Sequence, residues 1–206
     1  MQKWKELKWL VSPLLYCFGL VMILFTLPGS IHNPISLSVK LFPIVYGAYC
    51  FVGAGFLMNH SHPRTMVVIG SSLIVLHAMY ALVTSSLFFV QHLEGNGLLV
   101  ARYFVDTCPK LVEALAFMGL IRWGFTHNRR RTIPTLFYSF VVLIIVFSLS
   151  SLVNFVFSWQ IDIFENTADP MNQYRQLGRF VGTIFMLCAL CISIYHQKIE
   201  AHLTKS

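Results

Sequence analysis

Arg102-Tyr-Phe-Val-Asp106-Thr-Cys-Pro-Lys110-Leu-Val-Glu113 sets four charges inside an apolar run that extends from Leu98 to Ile121. Steps of three and four residues return to the same side of a helix, so positions 102, 106, 110 and 113 share one face. At ~1.5 Å rise per residue this stripe is about 16 Å long, half the hydrocarbon thickness of a bilayer. An ionised group near the bilayer centre costs at least about 2.5–3.5 kcal/mol. Four of them in one row cannot face lipid, so the row faces protein or a wet cavity.

The surrounding chain reads as the membrane part of that arrangement. Of 206 residues, 56% are hydrophobic and 11% charged, with a mean hydropathy of +0.68. Soluble domains carry roughly 25% charged residues. Six apolar runs have about the 20 residues needed to cross a bilayer: 9–27, 35–58, 65–89, 98–121, 133–158 and 176–195. The expected fold is therefore all-α, a polytopic membrane bundle of six transmembrane helices in one integral membrane domain, residues 1–206. The first run follows a basic N-terminus, but it is too long for a signal-peptide core and no small-x-small cleavage site follows it, so it reads as an uncleaved span.

The basic residues orient the bundle. With the N-terminus inside, the inner segments hold ten Lys and Arg (Lys3, Lys5, Lys8, Arg64, Arg122, Arg129, Arg130, Arg131, Lys198 and Lys205). The outer segments hold Arg175, with Arg179 just inside the last span. That asymmetry predicts both termini in the cytoplasm and a cytoplasmic membrane, here taken as a bacterial inner membrane. It also accounts for the formal charge of +7 without nucleic acid. The segment Trp159–Arg175, with three acidic residues, reads as the longest loop.

Within the fourth run, Asp106 and Lys110 are spaced i,i+4 and Lys110 and Glu113 i,i+3, both within ion-pair reach. Pro109 cannot donate to the Val105 carbonyl, which leaves an unsatisfied acceptor at membrane depth. Polar residues on other runs fall at similar depth: Ser151, Asn154 and Ser158 on the fifth, Arg179 and Thr183 on the sixth, Thr84, Ser85 and Ser86 on the third, and Lys40 on the second. Together they predict an outward-open cavity lined by Arg102, Asp106, Lys110, Asn154 and Arg179, with Glu113 near its floor. Arg102 and Asp106 are the residues expected to meet a ligand first. The structural alternative is a self-neutralising ladder that holds helices together without any ligand.

Other chemistries find little support. The five cysteines all lie in apolar runs, and Cys188-Ala-Leu-Cys191 has no neighbouring histidine, so neither a disulfide framework nor a zinc site is indicated. His77 is the one deep histidine, and a haem would need a second at equal depth. A cytoplasmic-face metal site from His60, His62 and His127 competes with plain solvated histidines. The chain has no Gly-x-Ser-x-Gly, His-Glu-x-x-His or phosphate-loop motif, so no enzyme class, cofactor or metal is assigned. The functional expectation is a receptor-type membrane module binding a small polar or charged ligand, with the bilayer and a cytoplasmic or membrane protein as partners and room for a homodimer. A small transporter of ions, protons or a zwitterion, and an accessory subunit of a larger complex, are the alternatives.

Overall fold

The computed structural model describes residues 2–26, 37–57, 63–91, 97–125, 129–165 and 170–203. All of them are helical. The six helices are α1 (Gln2–Thr26), α2 (Leu37–Leu57), α3 (Pro63–Gln91), α4 (Gly97–Phe125), α5 (Arg129–Glu165) and α6 (Pro170–Leu203). α3 and α6 both start on proline, whose missing N–H and fixed φ suit the first turn. The helices outrun the apolar segments. Residues 159–165 and 170–175, expected as loop, extend α5 and begin α6. Trp159-Gln-Ile-Asp-Ile-Phe-Glu165 contains no glycine or proline, so leaving the apolar run does not end the helix. The tail likewise stays helical to Leu203.

Consecutive helices from α2 to α6 pack side by side, and α6 returns to touch α2, which closes a five-helix ring. α1 lies outside the ring, packed along α6 and touching α2. Among the described residues, three helical stretches are long and apolar enough to cross a membrane, 64–91, 132–154 and 177–195, with shorter apolar stretches at 10–25 and 43–56. α4 has the length, 29 residues, but carries the four charges.

The exterior is as apolar as the core, and several polar side chains are buried among the apolar ones. Glu113, His77, Thr107, Thr183, Ser12, Ser71 and Ser193 are buried, while Leu, Val, Ile, Phe and Met side chains cover the outer faces of α1, α3, α4 and α5. An exterior of this kind is stable in contact with lipid.

Small residues set the closest helix approach, between α1 and α6. A Cβ added at Gly19 would sit 2.7 Å from the Gly182 carbonyl oxygen, and one at Gly182 would sit 2.8 Å from that of Gly19. Backbone oxygens cannot swing aside as side chains can. Beside this contact, Ser12 donates to the Ala189 carbonyl at 3.0 Å and meets the Ser193 hydroxyl at 2.7 Å. The small-residue run on α2 is used unevenly: the Tyr16 ring covers Gly53, but space outside Gly47 is open. Gly182→Ala should therefore destabilise the protein by about 1–3 kcal/mol, as overpacking does. Gly47→Ala should be neutral or slightly stabilising through helix propensity. Thermal unfolding in detergent checks both, and equal effects would mean α1 is not seated on α6 in this way.

Candidate functional site

The ring encloses a cavity of about 540 Å³, within the size range of small-molecule sites. Every ring helix contributes to its wall: Val45, Tyr46 and Tyr49 from α2, His77 from α3, and Lys110 and Glu113 from α4. Phe147, Ser151, Leu152 and Asn154 come from α5, and Leu177, Arg179, Phe180 and Thr183 from α6.

Glu113 is the buried carboxylate of this wall. Its side chain is 8% exposed against 28% for Lys110. Lys110 Nζ donates to Oε2 at 2.8 Å, and the Tyr49 hydroxyl donates to Oε1. Both carboxylate oxygens are thus served, one by a cation and one by a phenol from the facing helix. Such full satisfaction is what allows a carboxylate to remain at this depth. Across the cavity, the Tyr46 hydroxyl lies 3.4 Å from Thr183 Oγ1, and Thr183 donates to the Arg179 carbonyl at 2.8 Å.

One turn nearer the other end of α4, the Asp106 carboxylate accepts an N–H from Asn154 Nδ2 at 2.8 Å. Asn154 belongs to the cavity wall, whereas Asp106 is exposed and outside it. The acceptor created by Pro109 also finds a partner. Ser150 of α5 donates its hydroxyl to the Val105 carbonyl, the position that the proline cannot serve. Asn154 and Ser150 thereby fix the register of α5 against α4 at two successive turns.

The structure thus brings together Lys110, Glu113, Asn154 and Arg179 from the six residues singled out in the sequence. Asp106 is joined to them through Asn154. Arg102 belongs to α4, but its side chain lies outside the described residues. Asp106, expected as a wall residue, does not line the cavity itself; it bonds to Asn154, which does. Thr84 and Ser86 do not reach the cavity: Thr84 bonds to carbonyls of its own helix at 3.0 Å, and Ser86 bonds to the Leu82 carbonyl and the Tyr103 hydroxyl at 2.8 Å. The side chains of Lys40 and Ser158 lie outside the described residues, as do those of His60, His62 and His127. Among the described residues no three His, Cys, Asp or Glu side chains gather as a metal site. Tyr46, Tyr49 and His77 are wall residues that the charge pattern did not reveal. Tyr49 carries no local signal, since it sits in a run of small and aromatic residues on another helix.

Below Tyr49 and Glu113 the ring is filled. Tyr49 and Phe117 pack edge to face at 5.1 Å, Phe117 and Phe140 do so at 5.2 Å, and Phe56 lies 5.2 Å from Trp123. Phe117, Phe140, Leu120 and Val52 are wholly or almost wholly buried. Comparison with models of protein families, with curated proteins and with solved structures finds no match, so the reading of this site rests on its own geometry.

Two sets of variants test that geometry. Lys110→Leu should destabilise the protein by about 3–5 kcal/mol, because it strands a buried carboxylate, and adding Glu113→Leu should recover much of the loss. Equal thermal destabilisation in the single and double variants would mean that the pair is not coupled. Ser150→Ala should cost about 1–3 kcal/mol by orphaning the Val105 carbonyl. In a Pro109→Ala background, where an N–H again reaches that carbonyl, the same change should cost measurably less. A double-mutant cycle reads this difference directly.

Proposed function

We propose that this chain is an integral membrane protein of six spans, with both termini cytoplasmic, and that its central cavity binds a small polar or charged ligand as a receptor-type module. The orientation rests on the ten-to-one bias of basic residues toward one side. It directs the Asp106–Asn154 end of the cavity outward and the Phe117–Phe140–Trp123 core toward the cytoplasm.

One observation carries the reading. The polar wall ends at Glu113, and the ring below it is packed with aromatic and aliphatic side chains. A conduit requires polar lining along its whole length, whereas a binding pocket requires a floor. Mostly apolar walls with a few convergent polar groups, here Lys110, Glu113, Asn154, Arg179, Tyr46 and Thr183, are the usual composition of a small-molecule site. An ion-pair ladder serving only to hold helices together would have no use for 540 Å³ of space beside it.

Occupancy has an evident route to the cytoplasmic side. Arg179 and Thr183 are on α6, which runs on unbroken to Leu203. A ligand that draws α6 toward α2 and α4 shifts that whole helix, because a packed helix moves as a unit. The bound state is favoured only to the extent that the ligand prefers it.

Liposomes containing a pH-sensitive dye, together with a thermal-shift panel of small carboxylates, amines and zwitterions, distinguish sensing from transport. The expected result is no proton or solute flux, with one ligand class stabilising the protein. Stabilisation of about 2.7 kcal/mol corresponds to a ligand present at 100 times its Kd. Flux that vanishes in Asp106→Asn would replace this proposal with a transporter.

A further inference from the structure

The ion pair in the cavity wall is complete in charge and incomplete in hydrogen bonds. Lys110 Nζ donates to Glu113 Oε2 at 2.8 Å, and the Tyr49 hydroxyl donates to the other carboxylate oxygen. An ammonium has more N–H groups to give than that one. Among the described residues Glu113 is the only hydrogen-bond partner of Nζ, and the Lys110 side chain, 28% exposed, lines the cavity. The ammonium therefore has donor capacity left over for whatever occupies that space. On α5 the Ser151 hydroxyl lines the same cavity, and it too makes no hydrogen bond among the described residues.

The same pair selects the charge of its ligand. An anion drawn to Nζ would come to rest beside the Glu113 carboxylate, and a cation drawn to Glu113 would come to rest beside the Lys110 ammonium. Either ion meets its own sign next to its partner, in a space where water does little to weaken the repulsion. An uncharged acceptor takes the spare N–H without that penalty, and a hydrogen bond from an ammonium is among the stronger kinds. Much of the remaining wall is hydrocarbon, with Val45, Phe147, Leu152 and Phe180 among its residues, and Arg179 is already partnered. Walls of that kind oppose the burial of a further pair of charges, as a zwitterion would require.

We propose that the ligand of this cavity is an uncharged molecule with an apolar body and one strong hydrogen-bond acceptor, a carbonyl above all, that accepts from Lys110 Nζ. The body lies against Val45, Phe147 and Phe180. A space of about 540 Å³ is of the size that holds drug-like molecules. The Lys110–Glu113 pair stays intact on binding, because the ligand adds a bond to the ammonium and does not displace the carboxylate. This identification rests on the pocket-binding reading above and narrows its ligand to the uncharged polar class.

The test uses the full chain in detergent and four probes built on one cage: 2-adamantanone, adamantane, adamantane-1-carboxylate and 1-adamantylamine. Binding is read by thermal shift, and the carbonyl of carbon-13-labelled ketone by infrared spectroscopy. The ketone should bind about tenfold more tightly than each of the other three, as one hydrogen bond to a charged group implies. Its C=O stretch should fall on binding, as it does when a carbonyl accepts an N–H from an ammonium. In the double variant Lys110→Leu with Glu113→Leu, ketone affinity should drop to that of adamantane, and the band should keep its position in detergent. Lys110→Arg, which keeps a cationic donor beside Glu113, should retain most of the ketone's advantage. An unshifted band in the unaltered protein overturns the proposal whatever the variants do. Tighter binding of the carboxylate or the amine, or equal binding of ketone and adamantane, also overturns it and leaves the pocket reading intact. Failure of all four probes to bind removes both this inference and the pocket reading beneath it.

Discussion

A carboxylate at the centre of an apolar bundle must have both of its oxygens satisfied, and Glu113 is where this constraint acts. One oxygen takes the Lys110 ammonium and the other the Tyr49 hydroxyl. The first partner is local, three residues earlier on α4, but the second comes from α2. Meeting the demand of one charge therefore ties two helices that are not neighbours in the chain order of the ring. Tyr49 in turn leans on Phe117, and Phe117 on Phe140, so the same interaction sits on top of the aromatic packing that fills the lower ring. Above this point the cavity is lined by polar groups from four helices, Lys110, Asn154, Arg179, Thr183 and Tyr46 among them. Below it, Phe117, Phe140, Leu120 and Val52 close the axis.

Backbone polarity obeys the same constraint one turn away. Pro109 removes a donor, and hydrocarbon offers no water to replace it. The Ser150 hydroxyl answers from α5, and Asn154 answers Asp106 on the same face four residues later. These two hydrogen bonds use side chains that might otherwise have been taken for part of a ligand shell. They also explain why the exposed Asp106 is not a wall residue while Asn154 is. Facing the cavity are the Lys110–Glu113 pair, Asn154 and Arg179, among mostly apolar side chains.

Helix type and approximate length followed from apolar run length and from the rarity of internal breakers. The misjudged stretches, 159–165 and 170–175, show the limit of that rule. Hydropathy reports where a chain leaves an apolar environment, whereas a helix stops where backbone geometry or a cap stops it. Most of the charged and amide residues gathered around the cavity were legible because ionised and amide groups at membrane depth have few tolerable positions, and helical spacing assigns them a face. Tyr49 and Tyr46 were not legible. An aromatic residue in an apolar helix is equally at home against lipid, core or cavity, and only its neighbours distinguish these. Thr84 misled for the opposite reason, since a hydroxyl within a helix can bond back to its own carbonyls and need no partner elsewhere.

The sequence alone therefore determined an all-helical chain of apolar segments, a stripe of charge on the fourth helix of which Lys110 and Glu113 line the cavity, and a Val105 carbonyl without its helical donor. Those conclusions depend on local periodicity and on the free-energy cost of polarity in hydrocarbon, both of which can be read one segment at a time. Which helix answers each demand was decided only in three dimensions: Tyr49 for Glu113, Ser150 for Val105, Asn154 for Asp106. The same is true of the closed lower ring. These depend on the order of helices around the ring and on their mutual rotation, and those follow from the packing of all the faces at once.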